Sequence, residues 1–494
     1  MQVTINHLTF GYDGSPEEVF SDLSLALDTQ WRLGLIGRNG RGKTTLLRLL
    51  AGELDHRGAV SSPLRMDYFP FTPPREEGGG AMLALDTAMA MVGDPTAAEW
   101  QLLREADLLE LDPAVLYQPF DTLSGGERTK LQLAALFLRQ NNFLLIDEPT
   151  NHLDTHGRQV LGDYLGRGGR GFLLVSHDRD FLDRSCDHIL ALNPTGPELV
   201  KGNYSVWQEN KDARDAWEQA EHRKLTKEVG RLQQAARQTK GWSDQIEQSK
   251  IGTGVADRGY VGHKSAKMMK RSKAIQRRRE DALSQTRQLL KNLEEADTLK
   301  LHPLAYPKER LAEARQLAPR YGDRIVCGPL DFQLCRGDRL VLEGPNGSGK
   351  STLMKLLMGR EVDHGGTLTL GSGLVISHVP QDSAALAGDL GDFARDRGLD
   401  VSLFFTILRK LDFTRGLFDR DMGSYSQGQK KKVLLAASLA TSAHLYLWDE
   451  PLNYVDLLSR IQLENLILEY QPTMVLVEHD ARFCRRVGTR HLTL

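Results

Sequence analysis

The same glycine-rich loop occurs twice in this chain, as GRNGRGKT from Gly37 and as GPNGSGKS from Gly344. Each copy follows an apolar run that reads as a buried strand, and each leads into a helix-like stretch, TTLLRLL in one case and STLMKLL in the other. A strand, a loop of the form G-x-x-x-x-G-K-[ST] and a helix in that order form a phosphate cradle. Several backbone N–H groups must converge on the phosphates, and glycine is required where a side chain would block that approach. Recurrence of the whole unit predicts two α/β domains of one type in a single chain.

In the first loop the cradle residues are Gly37, Gly40 and Gly42, with Asn39 and Thr45 beside them. Lys43 is placed to reach the β/γ-phosphates, and the Thr44 hydroxyl to ligate Mg²⁺. In the second loop Gly344, Asn346, Gly347, Gly349, Lys350, Ser351 and Thr352 repeat the arrangement. Downstream of the first loop, TLSGGERTKLQLAALFL precedes FLLIDEPTNHLD, in which an apolar run delivers Asp147 and Glu148 together. This order of motifs resembles the ATP-binding cassette superfamily, whose signature LSGGE stands at Leu123–Glu127.

The resemblance implies a role for each matching residue. Asp147 would help hold Mg²⁺, and Glu148 would orient or activate water. His177 corresponds to the histidine that contacts the γ-phosphate, Asp154 to the acid of the D-loop, and Tyr12 to the aromatic that stacks on adenine. Ser124, Gly125 and Gly126 would close over ATP held by the other cassette, so the two cassettes of a monomer would pair within the chain. In the second cassette Gln381 is the expected metal and water contact, and Asp449 and Glu450 repeat the acid pair. Asp456, His479 and Tyr321 repeat the D-loop acid, the histidine and the stacker.

Two departures from the family pattern make the sites unequal. Where a glutamine follows proline in the family, MDYFPFTPP places Phe71 after Pro70, and phenylalanine can neither ligate Mg²⁺ nor hold water. The second signature reads YSQGQKKK, so Ser426, Gln427 and Gly428 replace Ser-Gly-Gly. With head-to-tail pairing, the altered signature faces the Lys43 loop. The site of Lys350 and Glu450, closed by Ser124, is therefore expected to hydrolyse ATP faster.

Between the cassettes, residues 205–300 differ in composition from the rest. Residues 201–300 hold 22 Lys and Arg against 14 Asp and Glu, in a chain of net charge −2. Apolar positions recur at helical spacing from Trp217 to Ala236 and every seven residues from Ile275 to Ala296, which predicts two long helices in an antiparallel hairpin. Glycines at 252, 254, 259 and 262 interrupt the helix and mark a tip near 251–264. Lys250–Arg279 contains ten basic residues and one acidic one, a footprint suited to phosphates. Basic Arg258, Lys264, Lys267, Lys270, Arg271 and Lys273 are the expected RNA contacts. Tyr260, His263 and Met268 among them can stack on bases.

The expected division is a first cassette over 1–204, the linker over 205–300 and a second cassette over 301–494. No run approaches the ~20 apolar residues that span a bilayer, and the N-terminus lacks a signal-like apolar core, which points to a cytoplasmic protein. Four scattered cysteines show neither zinc-site nor redox spacing and read as packing residues.

Paired cassettes without a membrane segment, joined by a basic helical linker, resemble the ABC-F class of translation-associated ATPases. The tip RGYVGHKSAKMMKRSK, the SQGQ signature and WDEPLNYVD are similar to those of the members that protect ribosomes from lincosamides, streptogramin A and pleuromutilins. That likeness implies docking of the ATP-bound protein at the exit site of the bacterial ribosome. The linker would there reach the P-site tRNA and the 23S rRNA near the peptidyl-transferase centre. Three other readings compete: a housekeeping factor that relieves stalled ribosomes, the ATPase subunit of a transporter, and a DNA-repair ATPase, the last disfavoured by the missing zinc sites.

Overall fold

The computed structural model describes residues 1–12, 18–73, 82–93, 98–193, 196–248, 270, 274, 277–278 and 299–494. The chain divides into two compact units. One comprises Met1–Leu192, Pro197–Ser205 and Ala296–Leu494 and holds both cassettes, and the other comprises Asn193–Gly196 and Val206–Glu295.

Each cassette is built on a parallel sheet. In the first, the strands run in the order Arg65–Phe69, Asn142–Asp147, Phe172–Val175, Arg32–Ile36, His188–Asn193, with Gly196–Lys201 added beyond the last at the edge. In the second the order is Ile376–Val379, Leu445–Asp449, Met474–Val477, Arg339–Glu343, Arg490–Thr493. Strands buried on both faces read as continuous apolar runs, as in Phe143–Ile146 and Leu445–Trp448, all at most 1% exposed. Antiparallel sheets carry the aromatic candidates: Gln2–Phe10 leads to Tyr12, and Arg310–Tyr321 ends on its counterpart.

The phosphate loops leave the carboxyl ends of Arg32–Ile36 and Arg339–Glu343, where ligands of open α/β sheets bind. Gly42 and Gly349 cap the helices Lys43–Leu50 and Lys350–Leu357 in left-handed conformation, at φ 84° and 99°. A Cβ on Gly42 would stand 2.6 Å from Val19 Cγ1, so the turn excludes any side chain there.

The main described element of the second unit is the helix Tyr204–Gln248, which enters it from Val206. Its 45 residues span about 68 Å at 1.5 Å per residue, matching the expected first arm of the linker. The expected tip at 251–264 lies outside the described residues, as does nearly all of the returning arm, of which 270, 274 and 277–278 are helical. Among the described residues no helix is long and apolar enough to cross a membrane.

Candidate ATP sites

Two composite cavities lie between the cassettes. The first, of about 460 Å³, is lined by Tyr12, Asn39, Gly40, Gly42, Lys43, Thr44 and Thr45, with Asp147, Glu148 and His177. Ser426, Gln427 and Gly428 of the second cassette complete it. The other, of about 720 Å³, is lined by Tyr321, Asn346, Gly347, Gly349, Lys350, Ser351 and Thr352, with Gln381, Glu450 and His479. Ser124, Gly125 and Gly126 come to it from the first cassette. Head-to-tail closure thus brings most of the expected residues together across two domains.

Both signature serines cap their own helices. Ser124 Oγ accepts from Glu127 N at 3.3 Å, and the Glu127 carboxylate accepts from Ser124 N at 2.8 Å. Ser426 and Gln429 form the same box. The box fixes a helix N-terminus toward the opposite phosphate loop, which favours an anion there. Glycine is required at Gly428, where a Cβ would lie 2.7 Å from the Tyr454 carbonyl oxygen. Gln427, at the position of Gly125, accepts from Ser383 Oγ at 2.8 Å within its own cassette.

The phosphate-loop lysines donate to loop carbonyls: Lys43 Nζ to Gly37 O at 2.8 Å and Arg38 O at 3.1 Å, Lys350 Nζ to Gly344 O and Pro345 O at 2.8 Å each. Burial lowers the pKa of both. Burial pushes the Asp147 pKa up against the smaller, lowering effect of the Thr44 hydroxyl, and Ser351 Oγ donates to Asp449 Oδ2 at 2.9 Å. Each hydroxyl therefore stands beside a carboxylate, the pair a magnesium ion needs. Asp147 Oδ1 and Asp449 Oδ1 are buried without a hydrogen-bond partner among the described residues, so the donor set fits a hard cation at both sites. Bound Mg²⁺ would neutralise phosphate charge there.

Glu148 and Glu450, the expected catalytic pair, are held alike and tuned differently. Glu148 and Glu450 both adopt φ 47°, a left-handed conformation a non-glycine residue adopts at a cost. Their N–H groups donate to Val175 O and Val477 O at 2.9 Å each. His177 Nε2 stands 3.4 Å from Glu148 Oε1, and His479 Nε2 3.5 Å from Glu450 Oε1. Burial, reinforced by the charge of Asp147, pushes the Glu148 carboxyl up to about 8. Burial, with Lys43 adding to it, holds His177 well below the usual imidazole range. At Glu450 burial also acts upward, but the adjacent His479 imidazole, the hydrogen bond from Gln381 and the charge of Lys431 together hold the carboxyl below its ordinary value.

Gln381 Nε2 donates to Glu450 Oε1 at 2.9 Å. Phe71 has no such group, and its ring lies against the Arg139 guanidinium at 5.3 Å. Tyr68, three residues earlier, donates to Asp147 Oδ2 at 3.1 Å, a contact not foreseen from sequence.

Some expected residues act at one remove. Asp456 is fully buried, pairs with Lys432 at 2.9 Å and caps the helix Leu457–Tyr470 through Ser459 N. It therefore positions the site and does not line it. Asp154 borders a separate cavity beside Gly344 and Pro345. Gly37 and Gly344 shape the turns at φ 154° and 146°, and Asp449 is buried behind Ser351. Of the expected RNA contacts only Lys270 is described, helical and exposed; Arg258, Tyr260, His263, Lys264, Lys267, Met268, Arg271 and Lys273 lie outside the described residues.

Residues 20–151 and 327–453 match the family described as ABC transporter. Along the whole chain, the ATP-binding protein Uup of Caulobacter vibrioides is 30% identical over 98% of this chain and 75% of its own. The ribosome protection protein VmlR of Bacillus subtilis is 28% identical over 100% and 86%. The energy-dependent translational throttle protein EttA of Escherichia coli K12 is 29% identical over 96% and 89%. Among solved structures, archaeal ribosome recycling factor aABCE1, in its complex with stalk protein aP1, superimposes with a TM-score of 0.66 at 20% identity. That alignment covers 99% of this chain and 87% of the other, and it shows a shared fold. The chain belongs to the ATP-binding cassette family, within it to the ABC-F branch, and is a Mg²⁺-dependent ATPase.

Proposed function

We propose that this ATPase binds the bacterial ribosome at the tRNA exit site and uses its linker to act on the P-site tRNA and the peptidyl-transferase centre, displacing bound antibiotics. What carries the reading is the pairing of two composite ATP sites with a 45-residue helix between the cassettes, in a chain similar throughout its length to a ribosome protection protein. ATP closes both sites and favours the ribosome-bound state; hydrolysis at the Glu450 site opens the pair and releases the protein. The basic run Lys250–Arg279 supplies the charge that RNA phosphates require.

A second reading, a housekeeping factor that frees stalled ribosomes, is favoured by the equal similarity to EttA, a translational throttle protein. Drug susceptibility separates the two. Expression of the chain in a susceptible bacterium should raise the inhibitory concentration of a lincosamide, a streptogramin A or a pleuromutilin. An unchanged value for all three, with the protein bound to ribosomes, would favour the housekeeping role.

A further inference from the structure

The two cassettes meet through a buried ionic cluster that is symmetric except at one point. In the first cassette Arg158 Nη1 pairs with Asp178 Oδ2 at 3.0 Å, and in the second Arg460 Nη1 pairs with Asp480 Oδ2 at 3.2 Å. Each arginine stands four residues after its D-loop acid, and each aspartate directly follows the histidine of its ATP site. Across the boundary, Arg179 of the first cassette pairs with Glu464 of the second and stands 3.8 Å from Asp480. These side chains are at most 4% exposed. The equivalents by position are Ala481 for Arg179 and Gly162 for Glu464, so no mirror-image pair can form.

We infer that Arg179 is a positioning residue that couples the two ATP sites. It lies two residues after His177 and is therefore fixed to the first site. Through Asp480 it adjoins the loop of His479 at the second. Glu464 sits on the helix Leu457–Tyr470, whose capping Asp456 pairs with Lys432 of the signature helix that closes the first site. A guanidinium with a planar fork can hold two carboxylates at once, and Glu464 and Asp480 are each also paired within their own cassette, with Arg486 at 2.9 Å and Arg460 at 3.2 Å, so Arg179 joins that buried network to the first cassette. Movement of either histidine loop on ATP binding or hydrolysis must therefore shift or break this cluster, and the change is felt at the other site. The inference rests on ATPase activity and not on any ribosomal role.

The test compares steady-state ATP hydrolysis by the full chain with that of Glu148→Gln and Glu450→Gln. Independent sites would give two single-variant rates that add to the parent rate. Coupling through Arg179 predicts a sum below about one-fifth of the parent. In an Arg179→Met background the same two variants should add to within about two-fold of their own parent, and Arg179→Lys should restore part of the deficit. A purely structural role would lower all rates together and leave the deficit in place. If Arg179→Met does not fold, Glu464→Gln, which leaves Arg179 its contact with Asp480, gives the same reading. Additive rates in the parent, or an unchanged deficit in a folded Arg179 or Glu464 variant, would overturn the inference.

Discussion

The side-chain amide of Gln381 donates to the carboxylate of Glu450 at 2.9 Å, while the residue at the same position in the first cassette, Phe71, lies against Arg139. One site therefore holds a glutamate with a side-chain amide hydrogen-bonded to it, and the other a buried carboxyl for which Phe71 offers no such group.

Unequal turnover is the direct consequence. Both variants should lose most of the ATPase rate, and Glu450→Gln should retain about ten-fold less of it than Glu148→Gln, in line with loss of a general base from the site expected to be faster. Steady-state phosphate release from the two variants checks this, and equal losses would contradict it.

Replacing Lys432 by methionine should leave Asp456 buried without its charged partner. The cost should be about 3–5 kcal/mol, because a buried carboxylate then keeps its desolvation penalty uncompensated. Denaturant unfolding of Lys432→Met, beside Asp456→Asn, measures it; a change under about 1 kcal/mol would show that water reaches the pair.

Acid should weaken the second cassette through His378. Burial, with Arg360 and Lys431 adding to it, pushes this imidazole down to about 4. The unfolded chain binds a proton near pH 6.5, so between about 6.5 and 4 it is favoured and stability falls as pH drops. Because the ring is partly exposed, the loss should be on the order of 1–2 kcal/mol. Unfolding of His378→Asn over this range should be flatter than that of the parent, and an identical slope would contradict the assignment.

Gly428→Ala should slow the first site selectively. Its Cβ would meet the Tyr454 carbonyl oxygen at 2.7 Å, which pushes the signature helix away from its own D-loop. ATP affinity measured in the Glu450→Gln background should fall by about ten-fold, corresponding to 1.4 kcal/mol.

Much of this was legible in the sequence because it is local. The phosphate loops and the acid pairs at strand ends each depend on residues a few positions apart, and duplication let one copy check the other. Phe71 and Gln427 were visible as departures for the same reason. What sequence could not supply were contacts between distant segments. Lys432 stands in a conspicuous lysine triplet, yet nothing local points to Asp456. Arg179 reads as an ordinary residue after a histidine loop, and its partner Glu464 as one charge on a helix. Asp456 was expected to line a site because its motif does so by resemblance, whereas its burial makes it a helix cap.

Co-sedimentation of the Glu148→Gln, Glu450→Gln double variant with bacterial ribosomes, in ATP and in ADP, tests the proposed role most directly. Retention in ATP and release in ADP is the predicted result. Equal recovery from the pellet in both nucleotides, or none in either, would contradict an ATP-closed, ribosome-bound state.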